Sequence, residues 1–188
     1  MGFGPSGTPP AHLGGYSLVA ALAQSAVSGT AVDTVDFPGG RQAVFDGKLE
    51  LMRIGQGRAT WSHGYGGDVL YWDELRSGRS TGTLSLPAGT RVFSFFLEPN
   101  FFGSASFGVM GSNGVESILF DGWAVEGEGG AQGLAFGVRS GTPDLVSVTF
   151  TGLNTIPDGF GFGELALNGA PTCPRCPSGR RRWGSSWA

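Results

Sequence analysis

The sequence predicts an all-β chain, an antiparallel β-sandwich of jelly-roll type. Three observations carry that expectation. Glycine supplies 35 of the 188 residues, against about 7% in ordinary proteins, a surplus that suits tight turns. Phenylalanine supplies 14, which gives the chain the apolar surface that disordered chains lack. Short runs of strand chemistry recur roughly every 8–14 residues between glycine-containing turns, the spacing of a sandwich or jelly roll.

Taken in order, the expected strands are Thr34–Phe37, Lys48–Ile54, Asp68–Tyr71, Thr81–Leu86, Arg91–Leu97, Ala105–Met110, Val115–Phe120, Gln132–Val138, Leu145–Thr151 and Phe160–Leu167. Each run is rich in β-branched or aromatic residues and is bounded by Gly, Pro, Asn or Asp. Period-two alternation assigns faces. Phe93, Phe95 and Leu97 share one side of their strand, and Val146, Val148 and Phe150 one side of theirs. In the last run Phe160, Phe162, Glu164 and Ala166 are expected on one face, with Gly161, Gly163, Leu165 and Leu167 opposite. Glycine at two successive same-face positions predicts that a backbone or an aromatic ring comes close there. The expected core includes Phe93, Phe95, Leu97, Val146, Val148, Phe150, Leu165 and Leu167.

Composition divides the chain into three zones. Residues 1–32 carry no charged side chain and hold an apolar centre, Leu18 to Leu22, followed by small residues. They read as a leader, either a degenerate export signal without the usual basic start or a stretch that is disordered or forms a short amphipathic helix. Residues 33–170 read as the β-sandwich domain. Residues 171–188 read as a disordered basic tail, with Arg175 and Arg180 to Arg182 and no acid.

Charge and cysteine usage exclude several classes of function. Net charge is −3, and the four tail arginines mask a more acidic body. Such a body does not attract phosphate backbones, so no nucleic-acid partner is expected. No apolar run approaches the roughly 18 residues of a membrane span. The two cysteines, Cys173 and Cys176, both lie in the tail, so the body relies on neither a disulfide nor a thiol.

Most short motifs have a structural reading. Gly78-Arg-Ser-Thr-Gly82 matches a nucleophile elbow in letters, but a loop precedes it and a strand follows, the reverse of what an elbow requires. Cys173-Pro-Arg-Cys176 has metal-ligand spacing without the further ligands that a zinc site needs. Gly127 to Gly133 reads as a hairpin turn, because no helix follows to bind an anion.

Two constellations are candidate sites. Glu98 and Glu164 each continue an otherwise aromatic face, and a buried carboxylate left unpaired is costly. Each is therefore expected to reach solvent, accept hydrogen bonds or bind a cation. Oxygen ligands from Glu98, Asn100, Asp158 and Glu164 would suit a structural calcium ion, the one cofactor considered. Trp61-Ser-His-Gly-Tyr-Gly-Gly-Asp68 packs two aromatics, a histidine and an acid into eight residues. Asp68 is expected to hold the His63 tautomer. With Trp72 downstream, Trp61, His63, Tyr65 and Asp68 form either a ring platform for sugars or a structural loop with core aromatics. An exposed row of rings at Trp61, Tyr65 and Trp72 would favour the platform, and buried rings the structural loop.

That same loop carries a family resemblance. Ala59 to Val69 resembles the WSHGYxGDVY motif of bacterial exported PEP-CTERM proteins. Thr83 to Thr90, Phe93 to Phe102, Ala131 to Gly137 and Asp158 to Glu164 resemble further segments of that family in the same order. The resemblance spans about residues 34–168. It implies a secreted, non-enzymatic β-domain of a Gram-negative bacterium, at the surface or in an exopolysaccharide or biofilm matrix, with polysaccharide as partner. It supplies no catalytic residues. The chain departs from the family at its end, which lacks Pro-Glu-Pro and the apolar helix of the sorting signal. Cys173 to Ser178 can be back-translated so that a neighbouring frame reads Pro-Glu-Val-Pro-Glu. Residues from about 172 onward are therefore expected to come from a frameshift. The expected function is a non-enzymatic surface or matrix protein, with a carbohydrate-binding module as the alternative.

Overall fold

The computed structural model describes residues 9–55, 61–72, 81–100, 103–127, 129–153 and 159–169, and among these turn residues and period-two alternation produce twelve strands and no α-helix. The strands are β1 (His12–Leu13), β2 (Tyr16–Ala20), β3 (Ala31–Phe37), β4 (Arg41–Arg53), β5 (Asp68–Trp72) and β6 (Thr81–Ser85). They continue as β7 (Val92–Pro99), β8 (Ser104–Ser112), β9 (Ser117–Glu126), β10 (Gln132–Gly137), β11 (Ser147–Gly152) and β12 (Phe160–Asn168). Every pairing is antiparallel.

Hydrogen bonding sorts the last eight strands into two layers. One runs β5-β12-β7-β10 and the other β6-β11-β8-β9. Numbered from β5, these orders are 1-8-3-6 and 2-7-4-5, the double Greek key of a jelly roll. The 13-residue β4 joins the layers, pairing with β5 through Glu50–Arg53 and with β6 through Val44–Phe45. Strand β3 covers the other side of β4. Residues 12–32 contribute β1, β2 and the first residues of β3, and β2 pairs with the end of β12. The tail with Cys173 and Cys176 lies outside the described residues.

Phenylalanines fill the space between the layers. Phe95 meets Phe150 edge-on at 5.0 Å, Phe107 meets Phe160 at 5.0 Å, and Phe150 meets Phe162 at 4.3 Å. Each such pair adds about 0.5–1.5 kcal/mol beyond its area. Seven of the eight expected core residues are buried. The exception is Val146, which is 46% exposed because it lies one residue before β11, at the end of the ladder. Strand β7 departs from simple alternation. All eight of its residues are buried, so Val92, Ser94, Phe96 and Glu98 are covered as fully as the Phe93 face.

The faces of β12 correct the expected alternation. Phe96 and Ser94 of β7 oppose Gly163 and Ala166, so β12 carries one extra residue there. This is a β-bulge. Glu164 occupies it at φ +52°. The bulge turns Leu165 and Leu167 onto the core side with Phe160 and Phe162, and turns Glu164 out. Period two fails here because one inserted residue exchanges the faces of everything beyond it.

Candidate functional site

The Trp61 loop folds onto the glycine face of β12. Ser62–Gly64 makes one 3₁₀ turn, and Trp61 precedes it in extended conformation. The Trp61 indole occupies the space beside Gly161 and Gly163. A Cβ on Gly163 would stand 2.7 Å from Trp61 Cζ2, and one on Gly161 would stand 3.3 Å from Cζ3 and 2.6 Å from Val69 Cγ1. The glycine pair thus signals the close approach of a ring, and the ring is Trp61. The bulge then supplies its partner, because Trp61 Nε1 donates to Glu164 Oε1 at 2.8 Å. Tyr65 packs against Trp61 with ring centroids 6.1 Å apart and donates its hydroxyl to the Asp68 carbonyl at 3.0 Å. Burial, assisted by the charges of Glu164 and Asp68, pushes the Tyr65 phenol up to about 12.

Asp68 works as a clamp. Its Oδ1 accepts from Arg53 Nε at 2.8 Å and its Oδ2 from the Gln24 backbone N–H at 2.7 Å. Arg53 also donates to the Gln24 carbonyl at 3.1 Å. The hydrogen bond that Arg53 donates to Asp68, then the charge of Asp68, raises the Arg53 guanidinium above its ordinary value. Both carboxylate oxygens thus hold residues 24 and 53 in place. The His63 side chain lies outside the described residues. Arg53 and Gln24 escaped the sequence reading because they lie 15 and 44 residues away with no shared pattern.

Trp72 belongs to the core. It is 4% exposed and stacks on Phe160 at 6.0 Å and 7°. Its ring fills the space that a side chain at Gly82 would need, with Cη2 1.7 Å from a Cβ there. Trp61, Tyr65 and Trp72 therefore form no exposed row. Trp61 and Tyr65 are half-buried against β12, and Trp72 points between the layers.

The residues expected as calcium ligands have separate partners. Glu98 is 5% exposed and accepts the Gly129 N–H through Oε1 at 2.5 Å. Its Oε2 is buried with no partner among the described residues. Burial raises the Glu98 carboxyl to about 7, against the lowering effect of Gly129. Asn100 is exposed, with Nδ2 3.5 Å from Tyr71 Oη. Glu164 is engaged by Trp61, and Asp158 lies outside the described residues. Among the described residues no three His, Cys, Asp or Glu side chains converge on one point.

A cleft of about 320 Å³ opens beside this corner. Its lining includes Ala20 to Gln24, Val35, Leu70, Leu165 and Ala166, together with Tyr65, Asp68 and Glu164. A mostly apolar lining with a few polar groups suits a small ligand or one unit of a polymer. The sequence held no sign of it, because the cleft exists only where β2, β5 and the bulge of β12 meet.

No family model matches the chain, and no curated protein matches it. Among solved structures it is similar to the K2 cleaved adhesin domain of Lys-gingipain, with TM-score 0.44 and 12% identity over 81% of this chain and 98% of that one. It is also similar to a family 29 carbohydrate-binding module, with TM-score 0.34 and 10% identity over 81% and 91%. A family 11 module from Clostridium thermocellum, in complex with a β-1,3-1,4-mixed-linked tetrasaccharide, gives TM-score 0.34 and 13% identity over 81% and 96%. All three TM-scores lie below 0.5, and the fold assignment rests on the strand order above. Among the described residues no helix is long and apolar enough to cross a membrane.

Proposed function

We propose that this chain is a non-catalytic domain of an exported protein of the PEP-CTERM type, working at a bacterial surface or in an exopolysaccharide matrix. One observation carries the reading. Among the described residues, three that stand out in the sequence as chemistry are committed to holding the fold: Trp61 on Gly163 and Glu164, Asp68 on Arg53 and Gln24, and Trp72 on Phe160. A catalytic site needs such groups to meet at one reacting point.

The cleft beside Tyr65 favours a second reading, a carbohydrate-binding module. In this reading the sugar enters the cleft rather than lying on a row of rings. The half-buried Tyr65 ring and the acceptors of Asp68 and Glu164 suit an apolar sugar face and its hydroxyls.

The test is a pull-down of the full chain on a panel of neutral and acidic polysaccharides, with calcium and with chelator. Saturable binding that is reduced at least about tenfold by Ala20→Trp, which fills the cleft, supports the module. Binding abolished by chelator alone points to a cation held at Glu98 and its neighbours. No binding in either condition refutes the module and leaves the matrix domain, whose own check is recovery of the protein from the exopolysaccharide fraction of its source cells.

A further inference from the structure

We propose that the cleft between the β8–β9 turn and the segment after β10 binds a free apolar α-amino acid, with its carboxylate on Arg139, its ammonium on Glu116 and its side chain against Phe136. This does not rest on the function proposed above, and the cleft shares no residue with the one beside Tyr65.

The first observation is the cavity. It holds about 380 Å³, near the low end of the roughly 300–1,000 Å³ of small-molecule sites. Residues of β8 and β9 line it from one layer of the sandwich, and residues of β10 from the other. Ile118, Phe136 and Leu145 supply its apolar part. The Phe136 ring rests against Gly111, where an added Cβ would stand 2.4 Å from Cδ1. Only glycine at that position lets the ring lie there.

The second observation is charge. Among the described residues, Glu116 and Arg139 are the only charged side chains that line the cleft. Both are exposed, and neither forms an ion pair with the other or with any described residue. Two opposite charges that share a cleft without meeting leave room for a molecule that meets both.

The third observation is that both charged walls are held in place. Asn113 is 8% exposed and lines the same cleft. Its Oδ1 accepts the N–H groups of Val115 and Glu116 at 3.0 and 2.7 Å, which fixes the turn that carries Glu116. This arrangement leaves Asn113 Nδ2 a donor without a partner among the described residues, and buried donors are normally satisfied. Across the cleft, Arg91 donates to the carbonyls of Arg139 and Thr142, and the Thr142 hydroxyl donates to the Arg139 carbonyl at 2.7 Å. Asp144 offsets the Arg91 charge at 3.2 Å. Walls set before a ligand arrives reduce the ordering cost of binding it.

Charge and size together identify the ligand. A carboxylate suits the fork of the Arg139 guanidinium and the Asn113 Nδ2 donor. An ammonium suits Glu116. An acidic sugar would satisfy Arg139 but face the Glu116 carboxylate, and an amino sugar would satisfy Glu116 but face Arg139. An α-amino acid carries both charges on one carbon. An apolar side chain then covers Phe136, Leu145 and Ile118.

The experiment is calorimetric titration of the full chain with L-leucine. One saturable site is expected. Glycine, N-acetyl-leucine and leucinamide, which lack the side chain, the ammonium and the carboxylate in turn, should each bind at least about tenfold more weakly. Glu116→Gln should weaken leucine by a similar factor and leave N-acetyl-leucine unchanged. Arg139→Gln should weaken leucine and leave leucinamide unchanged. Circular dichroism checks that both variants fold, and the ligand series needs neither of them. Absence of saturable binding with Kd below about 10 mM would overturn the proposal. So would leucine binding indifferent to both variants, or tighter binding of glucuronate or glucosamine than of leucine.

Discussion

Replacing Gly163 with alanine tests the contact that organises the Trp61 corner. The added methyl would stand 2.7 Å from Trp61 Cζ2 and 3.2 Å from both Cε2 and Cη2. An indole is rigid, so the whole ring must lift from β12 and stretch its 2.8 Å bond to Glu164. Overpacking of this kind costs about 1–3 kcal/mol. Weakening a hydrogen bond to a charged group adds up to about 1.5–3 kcal/mol, discounted because Glu164 is partly exposed. Restricting the unfolded chain returns about 0.4–1 kcal/mol. The net expectation is a loss of about 2 kcal/mol, or about 4–8 °C in Tm for a chain of this size. Thermal unfolding followed by circular dichroism measures it, with tryptophan emission reporting the indole. The decisive comparison is Gly163→Ala in a Trp61→Ala background, where the obstacle is gone and the same change should cost nearly nothing. Equal costs in both backgrounds would show that the ring does not rest on this glycine.

Three further outcomes are expected. Glu98 has a folded pKa of about 7 against an ordinary value of 4.5. Its contribution is therefore full below about pH 4.5 and is lost as pH rises through about 7. Unfolding in guanidinium should show a loss on the order of 3 kcal/mol across that window, and Glu98→Gln should flatten it. Tyr65, raised to about 12, should give a late ultraviolet titration step that Tyr65→Phe removes. Asp68→Ala should cost about 2–4 kcal/mol, because it leaves Arg53 Nε and the Gln24 amide without their acceptor. Hydrogen exchange near Gln24 should rise in this variant, and unchanged protection there would contradict the clamp.

The jelly roll was legible because its signals are local. Turn glycines and alternating phenylalanines mark strands wherever they occur, and eight of the ten expected runs match observed strands closely. The other two matched in part. Lys48–Ile54 is the second half of β4, and β9 starts at Ser117 and runs on to Glu126. Strands β1 and β2 escaped notice because the uncharged opening reads as a leader. Their evidence is a pairing partner, Ala166–Asn168, at the opposite end of the chain. Of the candidate site, Trp61, Tyr65, Asp68 and Glu164 were legible as residues of interest. Their roles were not, since Asp68 meets Arg53 and Gln24, and Trp61 meets Glu164, only after folding.

By itself the sequence determined the class of fold, most of the core and the close approach of a ring to Gly161 and Gly163. These follow from side-chain size and period, which act between near neighbours. The tertiary structure alone decided which ring came, which carboxylate met it and where clefts opened. One extra residue in β12 turned Glu164 outward and Leu165 inward. A bulge is a choice made between two paired strands, and its cost and benefit do not exist until both are present.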